Sequence, residues 1–265
     1  MTEAVFAGSM PSIYDRCLGN GRFRPFAVDL VSRVPAGAAR ILEVAAGTGV
    51  VTAELARALP DATIVASDLN PPMLDFAATK VTSPRVRFQP ADAQALPFAD
   101  ADFEALLCQF GVMFVPDKQA MYAEMHRVLK PGGRLLFNVW ERLEANEVPM
   151  IIAESVAAAF PDDVPNFSTR IPHGYHDSAV IEPALRGAGF TDINFETVCL
   201  TSRHESAYEA AYGACQGTPI RGEIEERDPA RLDEITDATA AAIAARFGSG
   251  PVISELTAIV VTAVS

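Results

Sequence analysis

Residues 40–49 read Arg-Ile-Leu-Glu-Val-Ala-Ala-Gly-Thr-Gly, and apolar residues at helical spacing follow them. The mostly apolar run from Ile41 to Ala46 is typical of a strand buried on both faces of a parallel sheet. A strand that turns through glycines into a helix brings a ligand close to bare backbone. Glu43 interrupts the apolar run, and burying its carboxylate is costly unless another group pairs with it. This stretch therefore predicts a strand–turn–helix unit with a binding site at the turn.

The composition argues against several classes of function. The chain has 265 residues and a formal net charge of −13, which disfavours binding to nucleic-acid phosphates or to anionic membrane surfaces. No basic region followed by an apolar core begins the sequence, and the apolar run at 256–264 is too short to cross a bilayer. The four cysteines form no Cys-x-x-Cys pair, which is typical of reduced thiols. We therefore expect a cytoplasmic protein without a nucleic-acid or membrane partner. The expected oligomeric state is a monomer or homodimer.

Strands and helices alternate through the first half of the chain. After the first strand, further strands are predicted at 62–67, 86–89, 103–109 and 135–140, and a Lys-Pro-Gly-Gly turn at 130–133 precedes the last of these. This alternation indicates an α/β fold with a doubly wound parallel sheet, whose ligands sit at the carboxyl ends of the strands. Two more strands are predicted at 193–200 and 255–263.

Acidic residues fall where three successive strands end: Glu43, Asp68 and Asp92. Asp68 lies 19 residues beyond Gly49, the spacing at which a carboxylate meets the two hydroxyls of a ribose. Asp92 is placed to accept a hydrogen bond from the exocyclic amine of a base. Together they predict an adenosine-type ligand.

The glycine turn lacks the features of a phosphate site. The dinucleotide fingerprint requires a third glycine, but Thr52 stands at that position, and no P-loop lysine follows the turn. A ligand that carries adenosine without phosphate fits this pattern better.

Four ordered motifs, which lie within residues 40–140, carry a family resemblance. They are Leu-Glu-Val-Ala-Ala-Gly-Thr-Gly at 42–49, Ser-Asp-Leu-Asn-Pro-Pro-Met-Leu at 67–74, Ala-Asp-Ala-Gln-Ala-Leu-Pro-Phe at 91–98 and Glu-Met-His-Arg-Val-Leu-Lys-Pro-Gly-Gly at 124–133. The chain resembles the class I S-adenosylmethionine-dependent methyltransferases, and is similar to the small-molecule enzymes of the ubiquinone and menaquinone-biosynthesis type. The resemblance implies a Rossmann-like seven-stranded sheet, mostly parallel with an antiparallel last strand, with helical lid insertions.

We accordingly predict a single methyltransferase domain over residues 1–265. Its parts are a helical leader at 1–39, a donor-binding core at 40–140, lid insertions on the acceptor side at 141–177 and 201–250, and the last strand at 251–265.

The resemblance also implies the methyl donor S-adenosylmethionine, the product S-adenosylhomocysteine, and residues that hold them. Glu43 would organise the amino group of the donor, and Asp68 would hold its ribose. The backbone at Ala45, Gly47 and Gly49 would wrap around it. The family often has glycine where this chain has Ala45, and we expect donor binding to survive because alanine is small.

Further donor contacts would come from the ends of the later strands. They are Leu69 and Met73 beside the adenine, Asp92 and Ala93 at the adenine edge, and Gln109 and Phe110 near the methyl group.

The acceptor is expected to be an aromatic or otherwise apolar metabolite. The candidate residues on its side of the site are Tyr14, Met113, Phe114 and Trp140. Direct in-line transfer of an activated methyl group depends mainly on alignment and exclusion of water, so a base is needed only if the acceptor must lose a proton.

No catalytic residue is assigned by the sequence. His173 and His176 are weak candidates for a base, since loop histidines are usually solvated. No cluster of metal ligands is predicted.

Two alternatives to methyl transfer stay open at this point. One is a nicotinamide-dependent oxidoreductase, against which the missing third glycine counts. The other is a catalytically silent module that binds the donor without turnover.

Overall fold

The computed structural model describes residues 8–265, so Met1–Ala7, the beginning of the predicted leader, lies outside the described residues. Within this range the chain forms a seven-stranded sheet with helices between the strands. The strands are β1 Arg40–Val44, β2 Thr63–Asp68, β3 Val86–Pro90, β4 Phe103–Gln109, β5 Leu129–Trp140, β6 Thr191–His204 and β7 Val252–Val264.

The sheet has the strand order β3-β2-β1-β4-β5-β7-β6. The pairs β1–β2, β1–β4, β2–β3 and β4–β5 are parallel, whereas β7 runs antiparallel to β5. The order reverses between β1 and β4, and ligands of open α/β sheets bind at such a point, beyond the carboxyl ends of the strands. The predicted fold class, with its antiparallel last strand, is therefore confirmed.

Helices follow the strands and also fill the segments that were predicted to be helical insertions. They are α1 Met10–Tyr14, α2 Arg24–Ser32, α3 Val50–Ala58, α4 Pro71–Lys80, α5 Lys118–Val128, α6 Glu147–Ala158, α7 Phe167–Arg170, α8 Ser178–Gly187, α9 Ala207–Gly217, α10 Ile220–Arg227 and α11 Leu232–Phe247. A π-helix at Asp15–Phe23 follows α1, and short 3-10 turns lie at Val112–Phe114, Leu143–Ala145 and Pro229–Arg231. None of the helices within residues 8–265 combines the length and apolar composition needed to span a bilayer.

The chain groups into two compact units, and each is described by itself. The sheet unit comprises Phe26–Trp140, Tyr175–Val198 and Ala258–Ser265. The helical unit comprises the described part of Met1–Pro25 together with Glu141–Gly174 and Cys199–Thr257. The donor-binding core predicted at 40–140 lies entirely within the sheet unit.

An apolar cluster in the sheet unit joins β1 to the helices on one face of the sheet. It contains Ile41 of β1, Leu30 of α2, Leu55 of α3 and Leu107 of β4, each with essentially no exposed surface. Burying side chains of this size contributes about 1.5–3 kcal/mol each. Strands β1 and β4 are therefore held firmly beside each other by this cluster.

One local prediction is wrong. Residues 130–133 were expected to form a tight turn before a strand at 135–140, but β5 already begins at Leu129. The pairing between β4 and β5 shifts register between Phe103 and Ala105, so the extra residues are accommodated as an irregularity of the ladder. Proline and glycine signal a bulge as readily as a turn, and the neighbouring strand decides between them.

Candidate functional site

Glu43 lies inside the sheet, between Ala66 of β2 and Leu107 of β4. Its side chain is buried and accepts a 2.6 Å hydrogen bond from Thr52 Oγ1 on α3. Burial raises the pKa of Glu43 to about 8, and the nearby charge of Asp68 adds to this rise, while the Thr52 hydrogen bond opposes it. The partner that the sequence demanded for Glu43 is therefore a hydroxyl, and the carboxyl holds its proton near neutral pH.

The turn after β1 has three residues with left-handed backbones, and one of them, Gly47, faces open space. Ala45, Gly47 and Gly49 have φ values of 55°, 53° and 78°, in the left-handed region. A Cβ built on Gly47 would meet no heavy atom within 4 Å. The space beside Gly47 is therefore open, and the binding role predicted for this turn stays a prediction.

Asp68 is tied directly to that turn. Its Oδ2 accepts a 2.8 Å hydrogen bond from the Gly47 N–H, and its Oδ1 accepts one of 2.8 Å from the Asn70 N–H. Burial raises the pKa of Asp68, and the backbone hydrogen bonds work in the opposite direction. The structure thus brings together the glycine turn and the acid that ends β2.

The adjoining predicted contacts differ in exposure. Leu69 follows Asp68 and is 57% exposed, whereas Met73 is buried in α4. Asp92 is half-buried, and its Oδ1 accepts hydrogen bonds from Gln94 N at 2.8 Å and Gln94 Nε2 at 3.1 Å, which fix the carboxylate beyond the end of β3. Ala93 beside it is buried.

An aromatic cluster follows β4. Phe110 stacks on Trp140, with ring centroids 3.7 Å apart and planes 7° from parallel. Phe26 of α2 meets both rings edge-on, at 5.3 Å from Phe110 and 5.2 Å from Trp140. Phe110 also has a φ of 49°, unusual for a bulky residue. The structure therefore places one predicted donor contact and one predicted acceptor-side residue in direct contact.

The turns that follow β4 and β1 pack tightly against each other. A Cβ built on Gly111 would lie only 2.4 Å from the Ala45 Cβ and 2.7 Å from Cys108 Sγ. Because real Cβ atoms do not approach so closely, only glycine fits at position 111. Gln109, at the end of β4, is half-buried.

The 3-10 turn at Val112–Phe114 carries the two remaining acceptor-side candidates of the sheet unit. Met113 is buried and Phe114 is half-buried. Lys118 Nζ donates hydrogen bonds to the carbonyl oxygens of Met113, at 3.2 Å, and of Val115. Burial lowers the pKa of Lys118.

Tyr14 and the two histidine candidates lie apart in the chain. In the helical unit, Tyr14 stacks on Phe23 with ring centroids 4.9 Å apart, and His173 Nδ1 lies 2.7 Å from the Glu141 carbonyl oxygen. The expectation of a solvated loop histidine is wrong for His173, which is only 4% exposed. His176, in the sheet unit, is half-buried. Within residues 8–265, no group of three or more His, Cys, Asp or Glu side chains is arranged to hold a metal ion.

The comparisons with known proteins point to one family. Residues 41–133 match the family model described as a methyltransferase domain. The chain is 46% identical over 99 residues to a demethylmenaquinone methyltransferase of Deinococcus radiodurans, covering 37% of this chain and 41% of that protein. It is 31% identical over 180 residues to the ubiquinone/menaquinone biosynthesis C-methyltransferase UbiE of Desulfotalea psychrophila, covering 62% of this chain and 70% of that protein. The chain belongs to the class I S-adenosylmethionine-dependent methyltransferases of the ubiquinone/menaquinone-biosynthesis type.

Nearly all of this methyltransferase chain aligns with part of a solved relative. The phosphoethanolamine N-methyltransferase 2 of Haemonchus contortus, in complex with phosphomonomethylethanolamine and S-adenosylhomocysteine, aligns with a TM-score of 0.61 at 18% identity. The alignment covers 96% of this chain and 56% of that one. The identity is low, so this likeness concerns the fold alone. The chain spans less than half the length of its Deinococcus radiodurans relative.

The residues of the methyltransferase chain fit the cofactor of its family. A sulfonium donor needs room against the backbone of the first turn, and Gly47 leaves that space open. Asp68 is fixed in orientation by backbone N–H groups, beside the exposed apolar side chain of Leu69. A carboxylate next to an apolar surface suits a ribose joined to an adenine.

Sequence reasoning missed three residues that build this edge of the sheet. They are Thr52, which donates to Glu43; Asn138, which accepts the Phe110 N–H; and Gly111, which lets the two turns pack. Thr52 could have been found, since a residue in the first turn of a helix after a strand–turn unit faces the preceding strand. Asn138 and Gly111 act across strands far apart in sequence, and no local signal marks them.

Proposed function

We propose that this chain transfers a methyl group from S-adenosylmethionine to a small, apolar, aromatic acceptor by direct in-line displacement. The observation that carries this proposal is the hydrogen bond between the Gly47 N–H and Asp68 Oδ2, which joins the two donor motifs into one surface. The names of the relatives, which include demethylmenaquinone methyltransferases, support a quinone-like acceptor.

Each predicted donor contact keeps its role in this proposal. Glu43 orients the amino group, and Asp68 holds the ribose hydroxyls against the turn. The other contacts are the backbone of Ala45, Gly47 and Gly49, then Leu69, Met73, Asp92 and Ala93 around the adenine, and Gln109 and Phe110 at the methionine end.

In this proposal the acceptor binds next to the aromatic cluster. When bound, S-adenosylmethionine supplies a methyl group already activated by its sulfonium charge. The stacked rings of Phe110 and Trp140 are buried and make this part of the sheet edge apolar, which favours an aromatic acceptor beside them and excludes water. Met113 and Phe114 extend this apolar character along the turn after β4. Tyr14 remains a candidate on the acceptor side, and His173 and His176 remain candidates for a base.

Calorimetric titration of S-adenosylhomocysteine into the wild type and Asp68→Asn tests the donor site. We expect micromolar affinity in the wild type and a loss of at least about tenfold in the variant, since a buried carboxylate held by backbone donors is replaced. Asp75→Asn is the matched control, because Asp75 is exposed on α4 and the same chemical change there should leave the affinity unchanged. If the wild type is folded and ligand-free and still gives no heat, the proposal is refuted. Titration with a reduced nicotinamide nucleotide would then test the oxidoreductase alternative.

The second experiment tests transfer itself. The wild type is incubated with S-adenosylmethionine and a reduced, short-chain demethylmenaquinone, and S-adenosylhomocysteine is quantified. We expect product with this acceptor and none with phosphoethanolamine, which offers no apolar surface. Donor binding without turnover on any apolar aromatic acceptor would instead favour a silent binding module.

A further inference from the structure

Asn138 is a polar residue of β5 whose side chain is fully buried, and its presence in the interior is not explained by a gain in stability. Its Oδ1 accepts a 3.0 Å hydrogen bond from the Phe110 N–H. Because a backbone N–H only donates, the oxygen must be the atom that faces Phe110, and this fixes the orientation of the amide. Its Nδ2 makes no hydrogen bond with any residue in the range 8–265. A buried amide donor without a partner is destabilising, so an apolar side chain of similar size would suit this interior better.

The residue that Asn138 holds has a strained backbone. Phe110 has a φ of 49°, in the left-handed region that bulky L-residues rarely adopt. Its N–H is shared between two acceptors on one residue, the Asn138 backbone oxygen at 3.1 Å and Oδ1 at 3.0 Å. Such conformations persist when the surrounding structure determines them, and they cluster at functional sites. The backbone oxygen would be present with any residue at position 138. The second acceptor, Oδ1, is provided only by the asparagine side chain.

The register of the sheet places this contact at the end of β4. Gln109 pairs with Asn138, and Phe110 follows directly at the carboxyl edge. Any change in the Phe110 backbone therefore moves the two residues that the proposed function places against the methionine end of the donor.

We propose that Asn138 is a positioning residue, whose side-chain oxygen holds Phe110 in its left-handed conformation and so fixes Gln109 and Phe110 against the amino-acid end of the methyl donor. The inference rests on the proposed function, since it concerns the same donor site. In this proposal the two residues have different roles. Asp68 holds the nucleoside of the donor, and Asn138 fixes the residues that contact its methionine end.

Two ligands distinguish these roles without any acceptor. S-adenosylhomocysteine carries the amino-acid end, whereas 5′-methylthioadenosine lacks it and retains the nucleoside and a thioether. For Asn138→Leu, which keeps the branched shape and removes the oxygen, we expect the Kd for S-adenosylhomocysteine to rise about tenfold, as for loss of a buried hydrogen bond. The Kd for 5′-methylthioadenosine should stay within about twofold of the wild type.

Asn138→Asp is the conservative variant, because it keeps an oxygen at the position that accepts the Phe110 N–H. It should restore most of the affinity for S-adenosylhomocysteine. The melting temperature of Asn138→Leu should equal or exceed that of the wild type, because the Leu side chain brings no unpaired donor into the interior. Should the Leu variant fail to fold, Asn138→Ser, whose hydroxyl is too short to reach Phe110, provides the same comparison.

The outcomes are distinct. An unchanged affinity for S-adenosylhomocysteine in Asn138→Leu overturns the inference, and so does an equal loss for both ligands, which indicates general damage to the site. Wild type that binds neither ligand would refute the proposed function itself, and this inference with it.

Discussion

Glu43 makes the stability of this protein depend on pH in a direction opposite to that of most carboxylates. Burial raises its pKa from 4.5 to about 8. Between these values the folded chain keeps a proton that the unfolded chain has released, so the free energy of unfolding falls as pH rises through this window. Glu43→Gln is neutral at every pH, has nearly the same shape, and retains an oxygen that accepts the Thr52 hydroxyl. The variant should therefore be the more stable protein at neutral and alkaline pH.

The size of the effect follows from the two pKa values. Linkage with a pKa of about 8 in the folded chain and 4.5 in the unfolded chain gives a cost of roughly 1 kcal/mol at pH 5 and about 3 kcal/mol at pH 7. The difference in free energy of unfolding between Glu43→Gln and wild type should thus grow by about 2–3 kcal/mol from pH 5 to pH 7. The raised pKa of Asp68 acts in the same direction, but it is present in both proteins and largely cancels.

Urea unfolding at pH 5, 6, 7 and 8 measures this difference. Glu104→Gln is the matched control, because a hydrogen bond from Lys130 and two backbone N–H groups lower the Glu104 pKa to about 2, so the folded chain keeps this carboxylate ionised from pH 5 to pH 8. That control should lose stability by an amount that does not change across the range. Parallel profiles for Glu43→Gln and the wild type would refute the reasoning, since they would mean that the two folded proteins carry the same charge at position 43. The stabilised variant should also bind S-adenosylhomocysteine more weakly, because the proposed partner of the donor amino group has been removed.

Two further predictions concern the contact between the turns after β1 and β4. Ala45→Gly should raise the free energy of unfolding by about 0.5–1 kcal/mol in urea denaturation, since relief of a left-handed alanine outweighs the added flexibility of the unfolded chain; a loss of stability would contradict it. Gly111→Ala should lower the free energy of unfolding by about 1–3 kcal/mol, because its Cβ would lie 2.4 Å from the Ala45 Cβ. The double variant should recover part of that loss, and strictly additive effects in the same assay would show that the two turns do not meet.

Most of the fold follows from local sequence signals. β4 has the predicted bounds, and β1, β2 and β3 lie within two residues of theirs, because apolar runs ended by glycine, proline or an acid describe buried parallel strands directly. β5 begins earlier than predicted, since whether Lys130–Gly133 turns or stays in the ladder depends on its pairing with β4. β6 also extends well past its predicted strand, to His204. Strand ends are set by neighbours, which the sequence does not display.

The candidate site likewise contains residues that the sequence predicts and residues that it does not predict. Glu43 and Asp68 could be predicted, because an acid at the end of a buried strand is conspicuous in sequence. The left-handed backbone of Phe110 could not be predicted. Glycine is the residue that usually adopts a positive φ, so the sequence alone would assign this conformation to the neighbouring Gly111. What selects Phe110 is Asn138, 28 residues further along the chain and on another strand.

Four residues that are locally unfavourable for stability lie at one edge of the sheet. Glu43 is a buried acid, Asn138 is a buried amide with an unpaired donor, and Ala45 and Phe110 have left-handed backbones. Each costs of order 1–3 kcal/mol, so their sum is comparable to the whole stability of a typical domain. If such residues were scattered through the interior, they would only destabilise the fold. In this chain all four lie at or beside the carboxyl ends of β1, β4 and β5. Natural sequences break local rules mainly where function requires it. The position of these four residues therefore supports a ligand at this edge, and two of them, Phe110 and Asn138, lie outside the four motifs that carry the family resemblance.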